Sequence, residues 1–204
     1  MTTPTNVWDD RYAGEEYLFG TEPNAFLARQ GARLKAGGRA LAVADGEGRN
    51  GVWLARQDLE VVSLDSSAAA QQKAARLAAA QGVTLHLVLA DIASWAWPEA
   101  GFDVVVGIFI QFAKPDLRTK MFAGMERALK PGGLLLLEGY RPEQLGYGTG
   151  GPSSVENLYT EDLLREAFPT LEIVELKAYD APIKEGHGHS GMSALIDLVA
   201  RRPD

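Results

Sequence analysis

Arg39-Ala40-Leu41-Ala42-Val43-Ala44-Asp45-Gly46-Glu47-Gly48-Arg49-Asn50-Gly51 is the stretch that decides the fold. Its first six residues (39–44) are a mostly apolar run of strand length without period-two alternation, the pattern of a strand buried on both faces. A glycine-rich bend follows, and residues 52–57 read as the helix that it opens. Gly46, Gly48 and Gly51 have the spacing G-x-G-x-x-G. After a strand and before a helix, that spacing marks a bend where a side chain at Gly46 or Gly48 would keep a ligand from the backbone and the helix N-terminus. A second buried run, residues 59–64, ends at Asp65, 19 residues after the first glycine. A carboxylate there can hold both hydroxyls of a ribose. Strand, glycines, helix and acid together predict a nucleoside bound at the switch point of an open sheet.

The alternation continues downstream. Ser67 caps a helix predicted over residues 68–81, built almost wholly of Ala, Gln, Lys, Arg and Leu, and Gly82 ends it. Residues 84–89 and 102–106 read as strands three and four. Residues 115–129 read as a helix with Leu117, Met121, Met125 and Leu129 four apart. Lys130-Pro131-Gly132-Gly133 reads as a stop and turn before strand five, residues 134–137. A glycine-rich segment spans 140–154, and a helix capped by Thr160 runs to residue 167. The tail holds two strands, 171–179 and 192–201, joined by 180–191 with no helix between, which predicts antiparallel pairing. Ahead of strand one, residues 1–38 are irregular and aromatic, with a short helix predicted over 24–35. The fold expected is a doubly wound α/β sheet of seven strands, mostly parallel, with an antiparallel C-terminal pair and helices on both faces. A single domain of 204 residues fits this, with 39–204 as core and 1–38 as a cover. Ligands of such sheets bind beyond the carboxyl ends of the strands.

Composition narrows the chemistry. Twenty Lys and Arg stand against 27 Asp and Glu, a formal net charge of -7, and the basic residues are scattered. Phosphate contacts need clustered cations, so no nucleic-acid partner is expected. No apolar run is long enough for a membrane span, and residues 1–11 lack the apolar core of a signal peptide, which makes a cytoplasmic protein the expectation. The absence of cysteine excludes disulfides, thiolate ligands and Cys nucleophiles. Oligomeric state stays open between monomer and homodimer.

The fingerprint serves two cofactors, NAD(P) and S-adenosylmethionine (SAM). The glycine strand begins only at Arg39, no second domain follows, and no Tyr has a Lys four residues on, all of which disfavour a dehydrogenase. Residues 40–55, Asp65, Ala90-Asp91-Ile92, Phe102-Asp103-Val104-Val105-Val106 and Leu129-Lys130-Pro131-Gly132-Gly133 resemble the successive motifs of class I SAM-dependent methyltransferases. Trp8-Asp9-Asp10-Arg11-Tyr12, Phe19-Gly20-Thr21-Glu22-Pro23-Asn24 and the 45–50 bend are similar to a narrower branch. That branch comprises small bacterial methyltransferases related to the tellurite-resistance enzyme and, more distantly, to thiopurine methyltransferase.

The resemblance implies a Rossmann-like core and SAM as cofactor but says almost nothing of the substrate; the acceptor expected is a small soluble nucleophile, a thiol, selenium, tellurium or other small group. It implies that Asp45, Gly46, Glu47, Gly48 and Asn50 face the methionine moiety and that Asp65, with Ser66 beside it, holds the ribose. Asp91 would accept from the adenine amino group, Ile92 would pack on the ring, and Gly107 to Phe109 would lie under the methyl group. Trp8, Tyr17 and Phe19 would fold over the cofactor. The family has an acid near the end of strand one and a glycine two residues later. Here those positions are Ala42 and Ala44, so Asp45 either takes the ammonium contact or that contact is weaker.

Substrate residues are expected after strands four and five and in the tail. Gln111 and Phe112 are candidates for the acceptor pocket. Tyr140, Arg141, Tyr147 and residues 146–151 read as a flexible lid or a plain loop. In Glu185-Gly186-His187-Gly188-His189 the alternate histidines would face one way on an extended strand. His189 would serve as base or hydrogen-bond donor near neutral pH, and with Tyr140 and Tyr17 it completes the catalytic candidates. A metal there lacks its three or four ligands, so none is expected. His86 reads as structural, Trp95 and Trp97 as packing residues, and Glu47 with Arg49 as a solvated pair if not at the cofactor. Methyl transfer needs no fixed triad. An NAD(P)-dependent oxidoreductase and a non-catalytic SAM- or nucleoside-binding regulator are the rival readings.

Overall fold

The apolar runs become one seven-stranded sheet in the order β3-β2-β1-β4-β5-β7-β6 in the computed structural model, which describes residues 6–204. Residues 1–5 of the expected cover lie outside the described residues. The strands are β1 (Arg39–Val43), β2 (Glu60–Asp65), β3 (His86–Leu89), β4 (Phe102–Ile108), β5 (Leu129–Tyr140), β6 (Glu172–Glu185) and β7 (His189–Arg201). The first five are parallel, and β7 runs antiparallel between β5 and β6. The doubly wound, mostly parallel sheet with its antiparallel final pair is as the sequence predicts.

Alternation along the strands sends side chains to two cores. Leu41, Val43, Val105, Leu135 and Leu137 pack on Met121, Met125 and Leu164, which come from α5 (Pro115–Ala128) and α7 (Glu161–Ala167). Ala40, Ala42, Val104, Val106 and Leu136 face Phe26, Leu27 and Leu54, from α2 (Ala25–Arg29) and α3 (Arg49–Ala55). The connections leaving β1 and β4 thus cover opposite faces, and the crevice between them opens at the carboxyl ends of both strands.

Several local expectations are corrected. The helix over 24–35 is only α2, followed by a 3-10 turn at Gly31–Arg33. Gly31 weakens a helix interior, and burial of Phe26 and Leu27 needs just one turn. Lys130 to Gly133 does not stop the chain before strand five. Phe102 pairs with Leu129 and Val104 with Leu134, so these residues form a bulge within β5. Residues 180–191 are not a loose connector, because β6 and β7 stay paired out to Glu185 opposite His189. Tyr140, the end of β5, pairs with Leu195, so the hairpin overhangs the sheet by several residues. The 140–154 segment contains α6 (Gln144–Tyr147), and its buried Gln144 accepts from the Ala194 N–H and donates to Gly150 O and Thr149 Oγ1. It is a pinned wall instead of a loose lid. His86 is exposed on the edge strand, 3.8 Å from Glu60, and packs into no core. Trp95 and Trp97 pack edge to face, as expected of packing residues, with Trp97 against Gly124 of α5. Among the described residues no helix is long and apolar enough to cross a membrane.

α4 (Ala68–Ala80) lies against the glycine bend, and Gly48 decides how closely. A Cβ on Gly48 would stand 2.6 Å from Ala74 Cβ and 2.9 Å from Ala74 Cα, and its φ is +86°. The glycine at 48 is therefore needed for helix packing, and the expectation that it keeps a ligand path open is corrected. Gly48→Ala combines a left-handed alanine with overpacking against backbone, so it should lower stability by about 2–5 kcal/mol, read as a reduced denaturation midpoint. An unchanged midpoint would contradict this packing.

Candidate active site

A cleft of about 1070 Å³ lies over the carboxyl ends of β1 to β4, large enough for a nucleoside and a second small molecule. Its floor is the bend. Asp65 Oδ2 accepts from the Gly46 N–H at 2.8 Å and Oδ1 from the Ser67 N–H at 2.8 Å, which ties the ends of β1 and β2 to the start of α4. Burial pushes the Asp65 carboxyl up, against the pull of these backbone donors. Asp45 turns inward, with Oδ2 accepting from Ser63 Oγ at 2.8 Å and Oδ1 from the Gly51 N–H at 3.1 Å. It thereby satisfies one of the donors left over at the start of α3. The bend does not offer a row of free amides: two are held by the chain's own carboxylates, and the Gly48 N–H goes to Asp45 O.

The N-terminal cover is clasped to this floor. Asn6 caps α1 (Val7–Tyr12) and donates to Ser66 O at 2.6 Å. Asp9 Oδ1 accepts from Ser67 Oγ and the Ala69 N–H at the start of α4. Glu47 is buried, and Lys73 Nζ meets its Oε1 at 2.6 Å while the Leu18 N–H reaches Oε2 at 2.7 Å. Arg49 is also buried and pairs with Glu185 at 2.7 Å. Glu47 and Arg49 are therefore not a solvated pair with each other. Each binds a distant partner, because a buried charge must be matched locally.

The hairpin tip closes the other side. His187 and Gly188 N–H groups donate to Leu18 O at 2.9 and 3.0 Å. A Cβ on Gly188 would stand 2.3 Å from the Phe19 ring, so glycine is what lets tip and cover interlock. The two histidines diverge: His187 is exposed beside Glu16, while His189 is buried and lines the cleft. The expectation that both face one way is corrected, since His187 sits in the turn and only His189 is on the strand.

His189 lies among rings. Phe19 and Phe109 are each 4.6 Å away by centroid, and Tyr140 is 5.6 Å away. Phe109 stacks on Tyr140 at 4.6 Å and holds φ +54°, a backbone state that bulky residues rarely adopt. Such strain marks functional positions. Trp8 meets Phe112 edge to face at 5.8 Å across the cleft mouth.

The cleft brings together Trp8, Phe19, Asp45, Gly46, Glu47, Asn50, Asp65, Ser66, Asp91, Ile92, Phe109, Gln111, Phe112, Tyr140 and His189 among the expected residues. It does not bring Gly48, Gly107, Tyr17 or Tyr147. Gly107 faces Ile110, Met125 and Leu137 in the core, and Tyr17 donates to Lys73 O behind the cover. Tyr147 is on the surface and donates to Asp180. Arg11 and Asn157 are among the lining residues that went unforeseen. Arg11 stands over Trp8 at 5.2 Å and Phe19 at 5.7 Å, and the Trp8 to Arg11 spacing of one helical turn was the available signal. Asn157 also lines the wall, and its Oδ1 is buried with no hydrogen-bond partner. Nothing in the sequence singles it out. Among the described residues no His, Asp and Glu cluster is arranged to hold a metal.

Asp45 makes one electrostatic consequence measurable. Burial outweighs its hydrogen bonds and raises its pKa from 3.8 to about 7. The folded chain thus binds this proton more tightly than the unfolded chain, so stability falls as pH rises from about 4 towards 7. Asp45→Asn keeps the shape without the charge. Its stability relative to the parent should grow through that window, to at most about 4 kcal/mol at pH 8. Denaturant melts at pH 4, 6 and 8 read this, and a constant difference would contradict it.

Residues 40–133 match the model of a methyltransferase domain. No curated protein matches the chain. Solved structures similar to it include one described for the conversion of a disulfide bond into a thioacetal group during echinomycin biosynthesis. That structure is 20% identical with a TM-score of 0.75, over 97% of this chain and 91% of that one. TehB from Haemophilus influenzae is 15% identical with a TM-score of 0.72, over 96% of this chain and 65% of its own. The N-methyltransferase NodS from Bradyrhizobium japonicum WM9, solved with S-adenosyl-L-homocysteine, is 15% identical with a TM-score of 0.68, over 98% and 90%. Residues 40–133, which carry β1 to β4 and the cleft floor, are thus the part that matches a methyltransferase domain, and the chain as a whole shares the Rossmann-like fold of these solved structures.

Proposed function

We propose that this chain is a SAM-dependent methyltransferase acting on a small acceptor. One observation carries the choice of cofactor: carboxylates occupy the bend where a dinucleotide would need bare amides. Asp45 and Asp65 hold the N–H groups of Gly51 and Gly46, and Glu47 stands beside them. A diphosphate there would face acids, whereas a nucleoside carrying a sulfonium and an ammonium would not. This favours SAM over NAD(P).

When bound, SAM supplies an electrophilic methyl group on sulfur. Asp65 would hold the ribose, and Asp91, at the cleft rim with Ile92 beneath, the adenine. Asp45 is turned inward, so the methionine ammonium would face the outer side of its carboxylate or the rim of the bend. The cover and the hairpin tip would exclude water from the part of the cleft lined by Phe19, Phe109 and His189, where the acceptor would lie in line, at roughly 3–3.5 Å for attack. Gln111 is spent on Tyr140, accepting its N–H and donating to its carbonyl, so it shapes the wall instead of meeting the acceptor.

Calorimetry with S-adenosylhomocysteine and with NADH and NADPH tests the reading. S-adenosylhomocysteine should bind and the nicotinamide cofactors should not; the reverse would overturn it. Asp65→Ala should weaken S-adenosylhomocysteine by about 1–3 kcal/mol, the scale of charge-assisted hydrogen bonds, with a parallel melt to show that the fold persists. Unchanged affinity would remove Asp65 from the ribose.

A further inference from the structure

Four side chains from three stretches far apart in sequence meet beside the cleft. Arg49 of α3 reaches Glu185 Oε2 at 2.7 Å. Asn24, which caps α2 through the Leu27 N–H, donates to Glu185 Oε1 at 3.0 Å. Both oxygens of Glu185 are thereby fixed, and the carboxylate cannot swing. His189 Nδ1 lies 3.5 Å from Glu185 Oε2. That nitrogen is fully covered and has no closer partner, and no hydrogen bond from a described residue occupies Nε2, while the ring lines the cleft. Aromatic rings on three sides hold the imidazole plane.

We propose that Glu185, fixed by Arg49 and Asn24, positions His189 as the general base, and that the acceptor is a molecule whose attacking oxygen or nitrogen still carries its proton. The proposal rests on the methyltransferase reading. The protonated nucleophile follows from the base itself, since a group that arrives as an anion needs none. The acceptor's X–H bond breaks, and its proton goes to Nε2 of His189. The freed electron pair forms the bond to the methyl carbon as the methyl–sulfur bond breaks and leaves its pair on sulfur. The imidazolium is held against Glu185 until it gives the proton to water.

The charged and titratable groups around His189 come from four elements: Glu185 of β6, Arg49 of α3, Arg11 of α1 and Tyr140 of β5. Burial pulls the His189 pKa below its ordinary value, and Arg49 and Arg11 add to this, while Glu185 opposes it. Burial raises Glu185, but the neighbouring His189 and the Arg49 charge carry it down to about 2. At neutral pH the pair is then a neutral imidazole beside a carboxylate, the state a base requires.

The test follows the three histidine imidazoles by NMR from pH 4 to 9, with S-adenosylhomocysteine bound, in the parent and in Glu185→Gln. His189 should titrate below the ordinary histidine value, and Glu185→Gln should move it down by a further unit or so. Methyl transfer at pH 8 to catechol, which keeps its proton there, and to 4-nitrobenzenethiol, which is already ionised, is measured in His189→Asn. The catechol rate should fall about 100-fold and the thiolate rate little. An unmoved His189 titration in Glu185→Gln, or equal losses on both probes, overturns the base. If neither probe is methylated, the titration alone decides. Failure of S-adenosylhomocysteine to bind instead overturns the methyltransferase reading itself.

Discussion

The reversal of strand order between β1 and β4 is the constraint on which the rest of this molecule depends. Connections leaving the two strands cover opposite faces, so the sheet parts at their carboxyl ends and leaves a crevice that no helix fills. The crevice keeps its shape because Asp65 ties both sides of the bend to α4. Its carboxylate replaces water for two backbone donors that would otherwise be buried without partners.

Buried charge then locks the covers over the crevice. Glu47 lies under the cover with Lys73 as partner, and Glu185 lies beside the hairpin tip with Arg49 as partner. Neither acid could stay charged there alone. Each pair therefore couples a far segment to the glycine bend. The cover reaches it through Leu18, and the hairpin through α3. The tip and the cover meet directly at Leu18 to Gly20, where only glycine at 186 and 188 leaves room.

Backbone strain collects at the same place. Ala44 and Phe109 both hold left-handed φ at the crevice floor, at the ends of the two strands where the order reverses. Ala44 stands where the resemblance leads to the expectation of glycine, and it keeps the glycine-like conformation at a cost of roughly 1–2 kcal/mol. Ala42, where an acid is expected, is packed in the core under α2 and α3. The nearest acid at the bend, Asp45, faces inward to Ser63 and Gly51, so it serves the chain's own backbone first.

The strands, their order of appearance and the polar residues at their ends were legible in the sequence. Buried parallel strands read as continuous apolar runs, and the bend, Asp65 and Asp91 follow those runs directly. The same one-dimensional pattern misplaced Gly48 and Gly107, because a required glycine looks alike whether it admits a ligand or a neighbouring helix. It missed the overhanging hairpin too: alternating half-exposed residues from 180 to 191 resemble a loop when the partner strand is unseen. What only the tertiary structure decided is which charges pair. Glu47 found Lys73, and Glu185 found Arg49, Asn24 and His189, since a buried ion takes the partner that packing brings within reach, whatever the distance along the chain.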